Sequence, residues 1–221
     1  MKLFFSAILK FSIGALLVGL LIFLPAGSLA FANGWLLMGL LFMPMFLAGI
    51  VMLIKSPAFL EKRLDAKEKQ ATQKGVVAFS GLMFIGGFVV AGLDHRFSWS
   101  CVPSWVVITA SVLFLVAYLL YAEVMRENAY LSRTIKVEEG QKVVDTGLYG
   151  IVRHPMYAAT ILLFMMMPLI LGSWYACIVF ALYPAIIIVR LKDEEALLRK
   201  ELSGYEEYCQ KVKYRLFPYI W

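Results

Sequence analysis

Between Lys10 and Lys55 the chain carries no charged side chain. As a helix, about 18 to 20 apolar residues already cross roughly 30 Å of hydrocarbon. Residues 11–54 are too many for one crossing, and Asn33-Gly34 interrupts them near the middle. Two spans are therefore predicted, near 9–31 and 35–54. Further charge-poor runs predict a third span over 75–93 and a fourth within 97–122, starting near Pro103. The run between Arg153 and Arg190 is too long for one helix and short for two. Gly172-Ser173 suits the turn of a helical hairpin with arms near 156–171 and 174–190. Each arm is short at about 1.5 Å per residue, which fits a thinned or partly hydrated stretch of membrane. The expected fold class is all-α: a polytopic transmembrane bundle of about six spans, including the short C-terminal hairpin, followed by an amphipathic helix. Only 16% of the residues are charged, against roughly 25% in soluble domains.

Charge sidedness tests this count. Lysine and arginine in short loops stay cytoplasmic. With six spans and both termini inside, 20 of the 21 basic residues fall on the cytoplasmic side and Arg96 alone on the other. An odd number of spans would export a whole basic cluster. Trp35, Trp99 and Trp105 then lie near the outer interface, where indole rings are favoured. The net charge of +6 follows from basic loops beside anionic headgroups, so the partner expected is the lipid bilayer and not nucleic acid. Cys101, Cys177 and Cys209 have no metal-ligand spacing, and no metal is expected. The first apolar run is long enough to remain as a span, so no cleaved leader is expected.

The chain divides into residues 1–124, mostly spans with a basic loop over 55–74, and residues 125–221, where the polar chemistry lies. The loop reads as a short amphipathic surface helix, Phe59 and Leu60 leading into Glu61 to Gln73. Asp94 and His95 read as outer loop residues, and Glu123 as an interface residue at the inner end of span four.

Three segments of the second part stand out. Residues 141–157 form a loop ending in Arg153-His154-Pro155-Met156-Tyr157. Pro155 suits the first turn of a helix, where its missing N–H costs nothing. His154 then sits at a helix N-terminus, which favours an anion or carboxylate. Arg190 and Glu194 are four apart and share a helical face where span six leaves the membrane; a surface ion pair and anchor would explain them as well. Residues 196–215 read as an amphipathic helix with Leu197, Leu198, Leu202, Tyr205 and Tyr208 on its apolar side, suited to the membrane interface.

The ordered set Arg153-His-Pro-Met-Tyr157, a helical hairpin, then Arg190 and Glu194-Glu195 resembles the isoprenylcysteine carboxyl methyltransferase family and its phospholipid-methylating relatives. Thr146-Gly-Leu-Tyr149 and Tyr205-Glu-Glu-Tyr208 share in the likeness, which covers roughly residues 138–218. The resemblance implies an integral membrane enzyme that uses S-adenosyl-L-methionine and methylates a lipophilic acceptor. It implies a cofactor pocket lined by Gln141, Lys142, Val143, Val144, Tyr149, His154, Pro155, Met156, Tyr157, Glu194 and Glu195. Arg190 and Glu194 would be catalytic, with Arg190 facing the acceptor. The pattern often has glycine two positions after its tyrosine; here Ala158-Ala159 follow, which would narrow the approach to the cofactor. Upstream of Gln141 the match fades, leaving contacts from Thr134 or Ile135 open. Sterol reductases share a similar C-terminal hairpin, so a reductase using reduced nicotinamide nucleotide is the alternative enzyme, and a non-catalytic scaffold the third reading.

Overall fold

The computed structural model describes residues 2–64, 71–131 and 137–221. Lys67, Lys69, Arg133, Lys136, Thr134, Ile135 and the middle of the expected surface helix lie outside the described residues.

Nine helices and one 3₁₀ turn make up the described chain. They are α1 (Lys2–Ala26), α2 (Ala32–Lys55), α3 (Pro57–Leu64), α4 (Ala71–Phe97), α5 (Ser104–Glu127), the 3₁₀ turn Gly147–Gly150, α6 (Pro155–Leu171), α7 (Trp174–Phe180), α8 (Tyr183–Glu201) and α9 (Tyr205–Lys211). Among the described residues five stretches are long and apolar enough to cross a membrane: Leu3–Ala26, Ala32–Lys55, Gln73–Phe97, Ser104–Glu127 and Trp174–Glu201. The apolar helix Pro155–Leu171 is shorter, about 25 Å long at 1.5 Å per residue. The polytopic helical bundle is thus present, with the short element where the hairpin was expected.

Large apolar side chains on α1 and α2, such as Leu16, Leu24, Met43 and Ile54, are exposed. Such surface is at home in lipid and would be costly in water. The interior is aromatic: Phe84 of α4 meets Phe164, Phe180 and Tyr183 of the hairpin. Helices pack closely where small residues allow it. A Cβ on Gly92 would stand 2.6 Å from the Ile22 carbonyl oxygen, so α4 lies directly on α1.

The sequence-based boundaries shift in five places. The first turn falls at residues 27–31, not at Asn33-Gly34. Gly34 is instead in the first turn of α2, packed against Phe23, Phe31 and Ile22. Span six is broken between α7 and α8, because Pro184 in the first turn of α8 has no N–H to continue the ladder. The amphipathic stretch is divided: α8 runs to Glu201, and Gly204, at φ 82°, separates it from α9. Asp94 and His95 belong to the last turn of α4, and Gln73 to its first turn rather than to the surface helix. Gly172, at φ 78°, does close the hairpin as expected, followed by Ser173, whose side chain caps α7 by accepting from the Ala176 N–H.

Candidate active site

The site begins where α5 ends. The Glu127 carboxylate accepts from the Leu148 N–H at 3.0 and 3.2 Å, holding the 3₁₀ turn against α5. Asn128 donates from Nδ2 to the Tyr149 hydroxyl at 3.0 Å, and Tyr208 of α9 donates its hydroxyl to the Tyr149 carbonyl at 2.7 Å. Tyr149 is thereby fixed from two helices. Burial pushes its phenol well above the ordinary tyrosine range, so the hydroxyl keeps its proton.

The next residues are held by the C-terminal tail. Backbone N–H groups of Arg153 and His154 donate to the carbonyls of Tyr214 and Arg215, each at 2.9 Å. Pro155 opens α6 with His154 as its N-cap. Arg153 is buried and donates from Nε to Glu195 Oε1 at 2.8 Å, and from Nη1 to the carbonyls of Val212 and Lys213. Glu195 Oε1 also lies 3.2 Å from His154 Nε2, which donates when it carries the proton, and Oε2 accepts from Arg215 Nε at 3.0 Å. One buried carboxylate thus joins the motif loop, α8 and the tail.

Glu194 points elsewhere. One step along an α-helix turns a side chain by about 100°. Its Oε2 accepts a short hydrogen bond from the Tyr157 hydroxyl. That hydroxyl accepts in turn from Arg190 Nε at 3.1 Å. His154 and Tyr157 rings stack with centroids 5.7 Å apart.

A cleft collects these groups. Gln141, Lys142, Val143, Val144, Tyr149, His154, Met156, Tyr157 and Glu194 all line it. The empty space between its walls is about 810 Å³, including the part open to solvent. Three expected residues are not on its walls. Pro155 is turned to an apolar groove on the other side of α6, where Ala158 and Ala159 also lie. These two alanines therefore do not narrow the cleft. Glu195 stands behind the cleft as the counterion of Arg153, not on it. Arg190 is not among the wall residues but donates to the hydroxyl of Tyr157, which is.

The cleft also holds residues that the sequence did not single out for a site: Asn128, Leu131, Leu197, Leu198, Leu202, Tyr205 and Tyr208. By sequence Leu197, Leu198 and Leu202 read as the apolar face of a helix. That face covers a cavity here. The Tyr205 hydroxyl is buried on the cleft wall with no hydrogen-bond partner among the described residues. Buried polar groups are almost always paired, so this hydroxyl is available to a water or to a ligand atom in the cleft. The spacing of Tyr205 and Tyr208, three apart, was the available signal. Among the described residues no cluster of three or more His, Cys, Asp or Glu side chains could hold a metal ion. Glu123 pairs with exposed Arg126 and takes no part.

Two curated proteins place this region among known sequences. The chain is 31% identical over 91 residues to the Delta(14)-sterol reductase TM7SF2 of Mus musculus, covering 40% of this chain and 22% of that protein. It is 29% identical over 98 residues to the uncharacterized protein YpbQ of Bacillus subtilis (strain 168), covering 44% of this chain and 58% of that protein. The match therefore spans about a fifth of the first relative and somewhat over half of the second. Residues 100–200, which carry His154, Tyr157, Arg190 and Glu194, match the model of the Isoprenylcysteine carboxyl methyltransferase (ICMT) family.

Proposed function

We propose that the chain is an integral membrane methyltransferase that binds S-adenosylmethionine in this cleft and methylates a lipophilic or amphiphilic acceptor. The supporting observation is the convergence of the Gln141 loop, the α6 N-terminus and Glu194 on one cavity beside Arg190. The donor set fits the cofactor. Glu194 can take an ammonium or ribose hydroxyls. The α6 N-terminus favours a carboxylate. Leu197, Leu198 and Leu202 offer an apolar wall for a base, and the Tyr205 hydroxyl awaits a polar partner.

When bound, S-adenosylmethionine supplies a methyl group on an activated sulfonium; the acceptor–methyl bond forms as the C–S bond breaks, and that electron pair stays on sulfur. The protein need only align and dehydrate the reactants. Tyr157 ties the Glu194 carboxylate to the Arg190 guanidinium, so cofactor and acceptor positions are set by one side chain. Arg190 can hold an acidic acceptor through a two-point hydrogen bond. A carboxylate acceptor gives an ester with no proton to remove; an amine or thiol acceptor must lose one. The basic loops support a topology with both termini in the cytoplasm.

The likeness to a Delta(14)-sterol reductase favours a second reading, a reductase using a nicotinamide nucleotide in the same cleft. Thermal stabilisation in detergent separates them. S-adenosylhomocysteine at 100 times its dissociation constant should add about 2.7 kcal/mol, and reduced nicotinamide nucleotide nothing. The reverse result would install the reductase, and stabilisation by neither would favour a scaffold. Glu194→Gln should weaken S-adenosylhomocysteine binding; equal affinity would remove Glu194 from the cofactor site.

A further inference from the structure

Arg190 is held from two sides. On one, Nε donates to the Tyr157 hydroxyl at 3.1 Å; on the other, Nη1 donates to Gln73 Oε1 at 3.0 Å. Gln73 comes from the opposite half of the chain, in the first turn of α4, and is fully buried. Its Nε2 donates to Asp193 Oδ2 at 2.9 Å. Both ends of the carboxamide are thus used, and its orientation is fixed: oxygen to the guanidinium, nitrogen to the carboxylate. A reversed amide would set its N–H donors against Arg190 and its oxygen against Asp193. Arg190 itself is only half-buried.

We infer that Gln73 is a positioning residue that aims the Arg190 guanidinium at an anionic methyl acceptor, bringing the N-terminal half of the chain into the site. The inference rests on the methyltransferase reading for its consequence but on the Gln73–Arg190 contact for its substance. A guanidinium stem is flexible, and a two-point bond to a carboxylate requires its plane to be set beforehand. Tyr157 fixes one edge. Gln73 fixes the other, and being neutral it does so without cancelling the charge that an acceptor needs.

The test measures binding of two probes separately in detergent: a long-chain thioether carboxylate and S-adenosylhomocysteine. It uses the full chain and four forms: the parent, Gln73→Met, Arg190→Met and the double variant. Gln73→Met should weaken the carboxylate about tenfold, which is one hydrogen bond's worth, and change S-adenosylhomocysteine less than twofold. On the Arg190→Met background the same substitution should have no further effect on the carboxylate. Gln73→Glu, which keeps the volume and neutralises the guanidinium, should weaken the carboxylate more than Gln73→Met does and covers the case in which the methionine variant misfolds. The inference is overturned if the parent does not bind the carboxylate, if Gln73→Met leaves that binding unchanged, if both probes weaken equally, or if the effect persists without Arg190. A parent that binds the carboxylate but not S-adenosylhomocysteine would sink the methyltransferase reading while the Gln73–Arg190 coupling could still be read.

Discussion

The Nε of Arg153 meets Oε1 of Glu195 across 2.8 Å with both side chains only 5% exposed. Adjacent carboxylates on α8 therefore do different work: Glu194 faces the cleft, and Glu195 neutralises the buried charge of Arg153. Removing one partner of a buried ion pair strands the other, at a cost of about 3–5 kcal/mol. Glu195→Gln should lower the melting temperature in detergent markedly, because its amide N–H group would face the donors of Arg153 or Arg215. Arg153→Met combined with Glu195→Met should recover part of the loss. Glu194→Gln should leave the melting temperature of the ligand-free protein nearly unchanged and act on cofactor affinity alone. Equal destabilisation by the two glutamine variants would overturn this division.

Gly147 has φ 54° and faces Glu127 so closely that a Cβ would lie 1.5 Å from its Oε1. Gly147→Ala therefore meets two separate obstacles. The left-handed backbone costs roughly 1–2 kcal/mol for any residue with a Cβ. The clash also pushes away the carboxylate that holds the 3₁₀ turn, and with it Tyr149. S-adenosylhomocysteine affinity should fall together with stability. Adding Glu127→Ala relieves the clash but not the backbone strain, so the double variant should stay less stable than Glu127→Ala alone. If the two are equal, the φ of residue 147 carries no strain.

The charge-free runs of the sequence located every membrane-length helix, because lipid-facing helices must be apolar whatever they pack against. The motif loop and Glu194 are legible because Arg153-His-Pro-Met-Tyr157 and Glu194-Glu195, separated by the hairpin, form an ordered pattern at a membrane boundary. What was not legible depended on the third dimension. The four-residue spacing puts Glu194 on the face of Arg190, but the burial of Glu195 depends on the distant Arg215 and Arg153. Gln73 looked like the end of a basic surface helix, and its partners lie more than a hundred residues away. Asp94 was misjudged because a carboxylate near a predicted turn is usually solvated. Here three donors bury it.

That Asp94 cluster supplies a control. Its carboxylate, 1% exposed, accepts from the Ser100 N–H at 2.7 Å, the Ser100 hydroxyl at 2.6 Å and the Ser173 hydroxyl. It ties α4 to the hairpin turn at the end of α6 opposite His154. The 17 residues of α6 put about 25 Å between the two ends. Asp94→Ala should destabilise the bundle by about 2–4 kcal/mol, since each hydrogen bond to a charged group is worth roughly 1.5–3 kcal/mol. S-adenosylhomocysteine affinity, measured below the melting transition, should stay within twofold. A larger loss of affinity would mean that the two ends of the hairpin are coupled.

Substitution of Tyr205 should change sign with occupancy of the cleft. In the ligand-free cleft its hydroxyl is buried and without a partner among the described residues, a state that costs about 1–3 kcal/mol. Tyr205→Phe removes the orphan while keeping the ring, which packs with Tyr208 at 5.7 Å between centroids. The ligand-free variant should therefore melt at the same temperature as the parent or higher. If a cofactor atom completes that hydroxyl, the same variant should bind S-adenosylhomocysteine about three- to tenfold more weakly, the equivalent of a net hydrogen bond of roughly 0.5–1.5 kcal/mol. A residue that served only to pack α9 would move both measurements in one direction or neither. Stability gained and affinity lost in a single substitution would mark the hydroxyl as held ready for a ligand, and unchanged affinity would place the bound molecule elsewhere in the cleft.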